Sequence, residues 1–134
     1  MTYTISWHIP ARVVHVLFTD DVTETDLIDS SEDLYSLLVQ SEVPVHILYN
    51  GTGIVDFPDR MTTVKRALRR FTCHPAMGWL IFAGFSTPDL RYVSNAIMQV
   101  MMRNFKNVHS LEDVDIILEQ IDSSLETRLV RTSI

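Results

Sequence analysis

The sequence predicts a single α/β domain built on a mixed β-sheet of four to five strands with about four helices. Short runs of β-branched and apolar residues alternate with longer stretches in which apolar residues recur every three or four positions, a pattern typical of α/β folds. The run at 44–49 is almost entirely apolar, as expected of a strand that is covered on both faces. The predicted order of elements is β-β-α-β-α-β-α-β-α.

Length and composition limit the class of protein. The 134 residues correspond to one domain, and 46% hydrophobic with 21% charged residues are sufficient for a buried core. No apolar run reaches the roughly 18 residues of a membrane span, and the N-terminus lacks the basic and apolar segments of a secretory signal. The single cysteine, Cys73, cannot form an internal disulfide. These features lead us to expect a cytoplasmic protein.

The charges are segregated along the chain. The net charge of −6 argues against general nucleic-acid binding. Eight acidic residues and no Lys or Arg lie between positions 20 and 42, whereas five of the eleven basic residues lie between positions 60 and 70. Each run is typical of a solvated helix face. The alternative is a pair of oppositely charged patches that steer a partner protein.

The first two predicted strands lie at 3–8 and 12–19. The connector between them is short and contains Pro10, which is confined to turns and sheet edges, so we expect an antiparallel hairpin. The next strand, at 44–49, follows a helix, and the order strand–helix–strand predicts a right-handed crossover between parallel strands.

The helix in this crossover has a clear start. Thr23 is a natural N-cap, and Asp26 three residues later can complete a capping box. Acidic residues crowd its first turns, where the helix dipole favours them. Leu27, Leu34 and Leu38 have the spacing of one buried face, and the helix is expected to end near position 40.

The second half of the chain continues the alternation. Asp59 is the expected cap of the second helix, and Ser110 with Asp113 is the expected capping box of the last. Residues 123–134 show little pattern and are expected to form a flexible or loosely docked tail after a domain at 1–122. The helix predicted at 60–71 has its buried face at Met61, Val64, Leu68 and Phe71. The other predicted elements are a strand-to-helix loop at 50–53, a strand at 78–85, a helix at 88–105, a short strand around Val108 and a helix after Ser110.

No arrangement of side chains predicts catalysis, a metal site or a cofactor. Cys73 and His74 are adjacent, whereas catalytic Cys/His pairs are usually distant in sequence. Asp56 and Asp59 are able in principle to act as acid and base, but two acids before a helix are more typical of a cap and a dipole partner. The five histidines show no ligand spacing, and the loop at 50–53 lacks the Lys-Ser/Thr of a P-loop. We therefore expect a protein without enzymatic activity or cofactor.

Four segments carry a resemblance to a known family. They read RVVHVLFTDDVTETDL, PVHILYNGTGIVDFP, HPAMGWLIFAGF and VHSLEDVDIIL, and with the order of elements they cover residues 3–122. This pattern resembles the STAS domain, in particular the SpoIIAA-like proteins. The resemblance implies a regulatory or protein-interaction module without an enzyme reaction. The STAS fold is also similar to the lipid-binding Sec14 (CRAL-TRIO) domains. The resemblance is therefore also compatible with binding of a small apolar or anionic ligand.

One feature of the family is missing from this sequence. In the antagonist members of the family, a kinase phosphorylates a Ser in an Asp-Ser-Ser-Gly motif after the central strand. The corresponding stretch here, 57–61, reads Phe-Pro-Asp-Arg-Met and contains no hydroxyl residue. The nearest candidates, Thr62 and Thr63, already lie inside the predicted helix. The departure argues against a phosphorylation switch of the family type.

The predicted binding surface combines the loop after the central strand with the basic helix that follows it. Cations at i, i+1, i+4 and i+5 project from one broad helix face, which suits an acidic partner, a phosphate group or an anionic membrane surface. Phe57 is the expected apolar anchor. The residues of this predicted surface are Asn50, Asp56, Phe57, Asp59, Arg60, Lys65, Arg66, Arg69 and Arg70.

The alternative function is binding of a small apolar ligand or lipid. Met98 and Met102 lie beside the apolar stripe of the third helix and widen it, which predicts a cleft between this helix and the sheet, or an apolar face through which the protein forms a homodimer.

Overall fold

The sheet has five strands in the order β1-β2-β3-β4-β5. The computed structural model describes residues 2–101, 104–122 and 125. β1 pairs antiparallel with β2, and β3, β4 and β5 continue the sheet in parallel. This arrangement confirms the predicted fold class, the hairpin and the parallel crossover. The strands are β1 (Tyr3–Ile9), β2 (Val13–Asp21), β3 (Val45–Asp56), β4 (Met77–Ala83) and β5 (Phe105–Val108), and the helices are α1 (Glu24–Val39), α2 (Met61–Thr72), α3 (Pro88–Met101) and α4 (Val114–Ile121).

The two faces of the sheet bury two separate cores. Side chains alternate along a strand, so Ile47 and Tyr49 of β3 point to one face and Leu48 points to the other. The first face is covered by α1, α2 and α3 and contains most of the aromatic core. The second face is covered by α4, which contributes Val114 and Leu118. A strand buried on both faces explains why β3 begins as a nearly continuous apolar run.

The predicted capping box of α1 is present. The Thr23 side chain accepts a hydrogen bond from the Asp26 backbone N–H, and the Asp26 carboxylate accepts one from the Thr23 backbone N–H. Leu27, Leu34 and Leu38 are fully buried, as their spacing predicts. Among the described residues, no helix has the length and hydropathy needed to cross a bilayer.

The prediction of a loop at 50–53 is wrong, because β3 runs on to Asp56. The extension pairs with the end of β2, with Gly53 opposite Thr19 and Asp56 opposite Asp21. A Cβ at Gly51 would lie 2.5 Å from the ring of Phe85. The absence of a side chain at Gly51 therefore allows the ring of Phe85 to pack directly against the strand backbone, and the glycine does not mark a turn.

Both further capping predictions are also wrong. The N-cap of α2 is Arg60, without a side-chain cap, so Asp59 lies one residue too early. Ser110 does not cap either: its hydroxyl donates to the Asp113 carboxylate at 3.3 Å, and a 3₁₀ turn at Leu111–Asp113 precedes α4. α3 ends at Met101, earlier than predicted, and Phe105 begins β5.

Most of the predicted tail, 123–134, lies outside the described residues. Leu125 is described and is fully buried in the second core. The division into a domain at 1–122 and a loosely docked tail stays a prediction, although the burial of Leu125 extends the core by at least one residue.

Candidate interaction surface

The loop between β3 and α2 lies at the edge of the sheet where the parallel strands end. It spans four residues, 57–60, and reads Phe-Pro-Asp-Arg. Asp56 fixes its start, because the Asp56 carboxylate accepts from the Phe57 N–H at 3.0 Å and the Asp56 carbonyl accepts from the Val22 N–H at 2.9 Å. In α/β sheets this edge is where binding sites usually lie.

Two of the predicted surface residues are buried. Asn50 is 4% exposed. Its amide nitrogen lies 3.1 Å from His15 Nε2, and its amide oxygen accepts from the Thr52 hydroxyl at 2.7 Å. Phe57 is 7% exposed, and its ring packs edge-on against Phe18 and Phe85. In this conformation neither side chain can contact a partner, and the expectation that Phe57 is an exposed anchor is not met.

The hydrogen bond from Asn50 also defines the state of His15. Because the amide of Asn50 donates to Nε2, the neutral ring of His15 carries its proton on Nδ1. Burial lowers the pKa of His15, and the nearby His8 lowers it further. His15 is thus a neutral, half-buried side chain that is hydrogen-bonded to Asn50.

Part of the basic run pairs with the acidic helix α1. Arg70 Nε donates to Glu32 Oε1 at 2.7 Å, and its guanidinium carbon lies 3.8 Å from the centre of the Tyr35 ring. The hydrogen bond with Glu32 raises the pKa of Arg70. Arg60 Nε lies 3.9 Å from Glu24 Oε1. The two oppositely charged runs therefore neutralise each other where α1 and α2 meet.

The remaining cations of α2 are not paired with the acidic residues of α1. Within the described part of the chain, no carboxylate lies within 4 Å of Lys65, Arg66 or Arg69. Arg66 and Arg69 are exposed and Lys65 is half-buried. The opposite side of the helix is buried through Val64, Leu68 and Phe71, as predicted. Together with Asp59, these three cations form the exposed charged surface that we call the α2 surface.

The other predicted sites have less support from the geometry. Met98 is 42% exposed, and Met102 lies outside the described residues. The thiol of Cys73 is exposed, while His74 Nδ1 accepts from the Ala76 N–H at 3.0 Å. No group of three or more potential metal ligands occurs among the residues that the structure describes.

The sequence does not predict a charged cluster of Arg12, His46 and Asp122, in which His46 is buried and the side chains of Arg12 and Asp122 are 17% and 21% exposed. Arg12 Nη2 and His46 Nε2 both lie within hydrogen-bond distance of one carboxylate oxygen of Asp122, at 2.7 and 3.0 Å. The Trp79 N–H donates to His46 Nδ1 at 2.9 Å, so His46 carries its proton on Nε2 and donates it to Asp122. The only signal in the sequence is a histidine inside an apolar strand. This signal does not identify Arg12 and Asp122 as its partners, because they lie 34 and 76 residues away.

Comparison with known proteins gives a structural match only. No protein-family model and no curated protein matches the sequence. The chain is similar to the anti-sigma factor antagonist SpoIIAA in its unphosphorylated form, with a TM-score of 0.58 and 11% identity over 86% of this chain and 95% of that one. The chain is also similar to the Bacillus cell fate determinant SpoIIAA in its phosphorylated form. This match has a TM-score of 0.56 and 11% identity, and it covers 86% of this chain and 98% of that one.

A second protein shows the same likeness. An anti-sigma-factor antagonist (STAS) domain protein from Planctomyces limnophilus gives a TM-score of 0.56 and 14% identity, covering 87% of this chain and 96% of that protein. These matches span nearly the whole of each neighbour. The fold of this chain is thus the STAS fold of SpoIIAA, which confirms the resemblance drawn from the sequence.

Proposed function

We propose that this protein is a regulatory protein-interaction module that binds an acidic surface of a partner through the α2 surface. The observation that carries the proposal is that Lys65, Arg66 and Arg69 have no carboxylate partner within the described residues, although the chain as a whole is acidic. Local positive charge on an acidic protein favours one orientation of approach and raises the association rate.

The pairing of α1 with α2 supports this arrangement. Arg70 and Arg60 hold α2 against α1 through Glu32 and Glu24, so these two arginines orient the helix. The three unpaired cations are left to contact the partner. This division refines the predicted surface: Asn50 and Phe57 support the loop from inside, while Asp56, Asp59 and Arg60 border the contact.

Regulation by phosphorylation of the β3–α2 loop is not part of the proposal. SpoIIAA is known in phosphorylated and unphosphorylated forms. The loop of this chain contains no Ser, Thr or Tyr at 57–60. Thr62 is exposed, but it is the second residue of α2. We infer that partner binding is controlled by another input. We also propose a cytoplasmic location, because the thiol of Cys73 is free and exposed.

The experiment compares three immobilised proteins. The first is the wild type, and the second carries Lys65→Glu, Arg66→Glu and Arg69→Glu. The third is a control with Arg91→Glu on α3 and Lys106→Glu on β5. Proteins captured from an extract of the native host are quantified by mass spectrometry, and each candidate partner is then purified for binding measurements. We expect a partner that the wild type and the control both bind and that the α2 variant binds at least about tenfold more weakly at low salt.

Folding of each variant is checked by its thermal unfolding midpoint. Arg60 and Arg70 are left unchanged because they pair with α1, so the α2 variant keeps its helix packing. Equal affinity of the wild type and the α2 variant for every purified partner at low salt would show that the α2 surface does not bind them.

A further inference from the structure

A crevice lies between the ends of β4 and β5. These strands are adjacent and parallel. The chain leaves β4 toward α3, which packs in the first core, and leaves β5 toward α4, which packs in the second core. Where neighbouring parallel strands lead to opposite faces of a sheet, a crevice opens between their ends, and α/β proteins bind ligands at this point.

Two neighbouring clefts occupy this position. One has a volume of about 330 Å³ and the other of about 230 Å³. Ser86 and His109 line both of them, so the clefts adjoin where the two strands end. Their size falls near the lower end of small-molecule sites, which begin at roughly 300 Å³. The crevice is therefore large enough for a small organic ligand.

The walls of the crevice are held in place by hydrogen bonds within the protein. The Asn107 amide nitrogen donates to Ser94 Oγ at 3.0 Å, and Ser94 Oγ donates to the Arg91 carbonyl at 3.1 Å. Ser94 is fully buried. This chain of bonds fixes α3 against β5 at the position of Arg91. At the start of α3, the Leu90 N–H donates to Thr87 Oγ1 at 3.3 Å, so the helix terminus is also ordered.

The polar groups of the crevice suit an anion that carries hydroxyl groups. Arg91 lines the smaller cleft, is exposed, and has no carboxylate within 4 Å among the described residues. Asn95 and Ser86 supply neutral donors beside it. Glu112 lines the larger cleft, which Arg91 does not line, and supplies an acceptor. In the smaller cleft, the guanidinium of Arg91 can recognise a phosphate. In the larger cleft, the carboxylate of Glu112 repels a phosphate but accepts hydrogen bonds from hydroxyl groups.

From this arrangement we propose that the crevice binds a small organic phosphate, with the phosphate at Arg91 and the hydroxyl groups toward Glu112. The site lies on α3, β5 and the loop after β4, apart from the α2 surface. The protein would thus have a second binding site, for a small molecule, in addition to the surface proposed for a protein partner.

The test is a titration of the ¹⁵N-labelled full chain followed by amide chemical shifts at constant ionic strength. The probes are glycerol 3-phosphate, inorganic phosphate and glycerol. We expect saturable shifts of the Ser86, Arg91 and His109 amides with glycerol 3-phosphate, weaker binding of inorganic phosphate and no binding of glycerol. Arg91→Gln is expected to weaken binding of glycerol 3-phosphate by about tenfold or more, because one charged hydrogen-bond donor is lost.

Lys106→Gln on β5 is the matched control, since Lys106 lies over the Trp79 ring outside the crevice; it removes one positive charge and is expected to leave the affinity unchanged. Absence of saturable shifts, shifts confined to α2, or equal affinity of Arg91→Gln and the wild type would overturn the proposal. Equal binding of inorganic phosphate and glycerol 3-phosphate would reduce the site to an anion site and overturn the assignment of an organic ligand. The amide spectrum itself reports whether each variant is folded.

Discussion

The carboxylate of Asp26 accepts two hydrogen bonds at the start of α1. One comes from the Thr2 hydroxyl at 2.5 Å and the other from the Thr23 backbone N–H at 3.0 Å. The bond from Thr2 makes the largest contribution to lowering the pKa of Asp26. Both bonds favour the ionised form, and they link the N-terminal strand to the helix. The folded protein therefore binds a proton at Asp26 less readily than the unfolded chain.

This difference predicts how stability depends on pH. Since the pKa of Asp26 is lower in the folded state, its contribution is complete above the unfolded value of about 3.9 and is lost as the pH falls through the folded value. We expect wild type to be more stable than Asp26→Asn at pH 7, and the gap to narrow below about pH 4. Urea unfolding of both proteins at pH 7 and below about pH 4 measures this difference in the free energy of unfolding. A gap that stays constant or widens on acidification would contradict this account.

Gly84 turns the chain from β4 toward α3 in the left-handed region, with φ of 77°. A Cβ at this position would lie 2.4 Å from Thr52 Cγ2 and 3.1 Å from Thr52 N. We expect Gly84→Ala to destabilise the protein by about 2 kcal/mol or more, through backbone strain and this clash. Gly53→Ala is the control, because its nearest contacts are 3.3 Å away and its φ lies outside the left-handed region.

Chemical denaturation of both glycine variants measures the two free energies of unfolding. A loss at Gly84→Ala no larger than that at Gly53→Ala would show that the turn after β4 can relax. The loop that carries Ser86 to the proposed crevice would then be less fixed than the contacts indicate.

The residue patterns that mark helix starts were only partly predictive. Thr23 with Asp26 forms the predicted capping box at the start of α1. Ser110 with Asp113 has the same spacing, yet a 3₁₀ turn takes the place of the first helical turn and the two side chains bond to each other. Both cap residues are extended, so spacing and entry conformation are alike, and the geometry of the first turn decides which backbone N–H groups are within reach.

Among the elements, α4 depends most on contacts with the rest of the molecule. It has eight residues, and isolated helices of this length are not stable in water. Val114 and Leu118 bury its apolar side. Asp122, at its C-cap, accepts hydrogen bonds from Arg12 and from His46, whose side chain is 4% exposed. The buried cluster thus attaches the end of α4 to the sheet.

Two aspartates allow a matched test of this attachment. Asp122→Ala removes a mostly buried partner and is expected to cost about 2–3 kcal/mol, with faster hydrogen exchange in α4. Asp115 pairs with His8 at 2.8 Å but is 56% exposed, so Asp115→Ala is expected to cost less than about 1 kcal/mol. Hydrogen exchange and urea unfolding of both variants check the difference. Comparable losses in the free energy of unfolding would show that the buried cluster contributes no more to stability than the exposed pair.

The length of β3 shows how an element can be misread from sequence. Asn50 and Gly51 have the composition of a turn, but the segment continues as strand because the end of β2 supplies hydrogen-bond partners to it. Asn50 uses its side chain within the sheet, bonding His15 and Thr52. A local pattern contains no information on whether a neighbouring strand is available, so tertiary pairing overrides the preference for a turn.

At the scale of the whole molecule, the charges divide into a paired and an unpaired set. The acidic face of α1 meets Arg60 and Arg70, whereas the other cations of α2 and Arg91 of α3 remain without carboxylate partners in the described part of the chain. The two proposed sites use different members of the unpaired set. We therefore expect their responses to be separable, with Arg91 variants affecting the small-molecule site and α2 variants affecting protein binding.

The sequence by itself determined the fold class, the order of elements, the antiparallel hairpin, the parallel crossover and the buried faces of α1 and α2. These features follow from local periodicity and cap chemistry, which a chain expresses through residues a few positions apart. The STAS resemblance rested on the same order of elements, and the structural neighbours share it.

Only the tertiary structure decided which predicted site residues are accessible and which charges are already paired. The position of Phe57 in a loop predicts an exposed aromatic side chain, but its ring packs against Phe18 and Phe85, which are distant in sequence. Arg70 reads as a surface cation, but Glu32 of another helix holds it. The crevice at Arg91 exists because consecutive connections leave the sheet toward opposite faces. Burial, ion pairing and concavity all depend on contacts between distant segments, and these arise only when the layers pack.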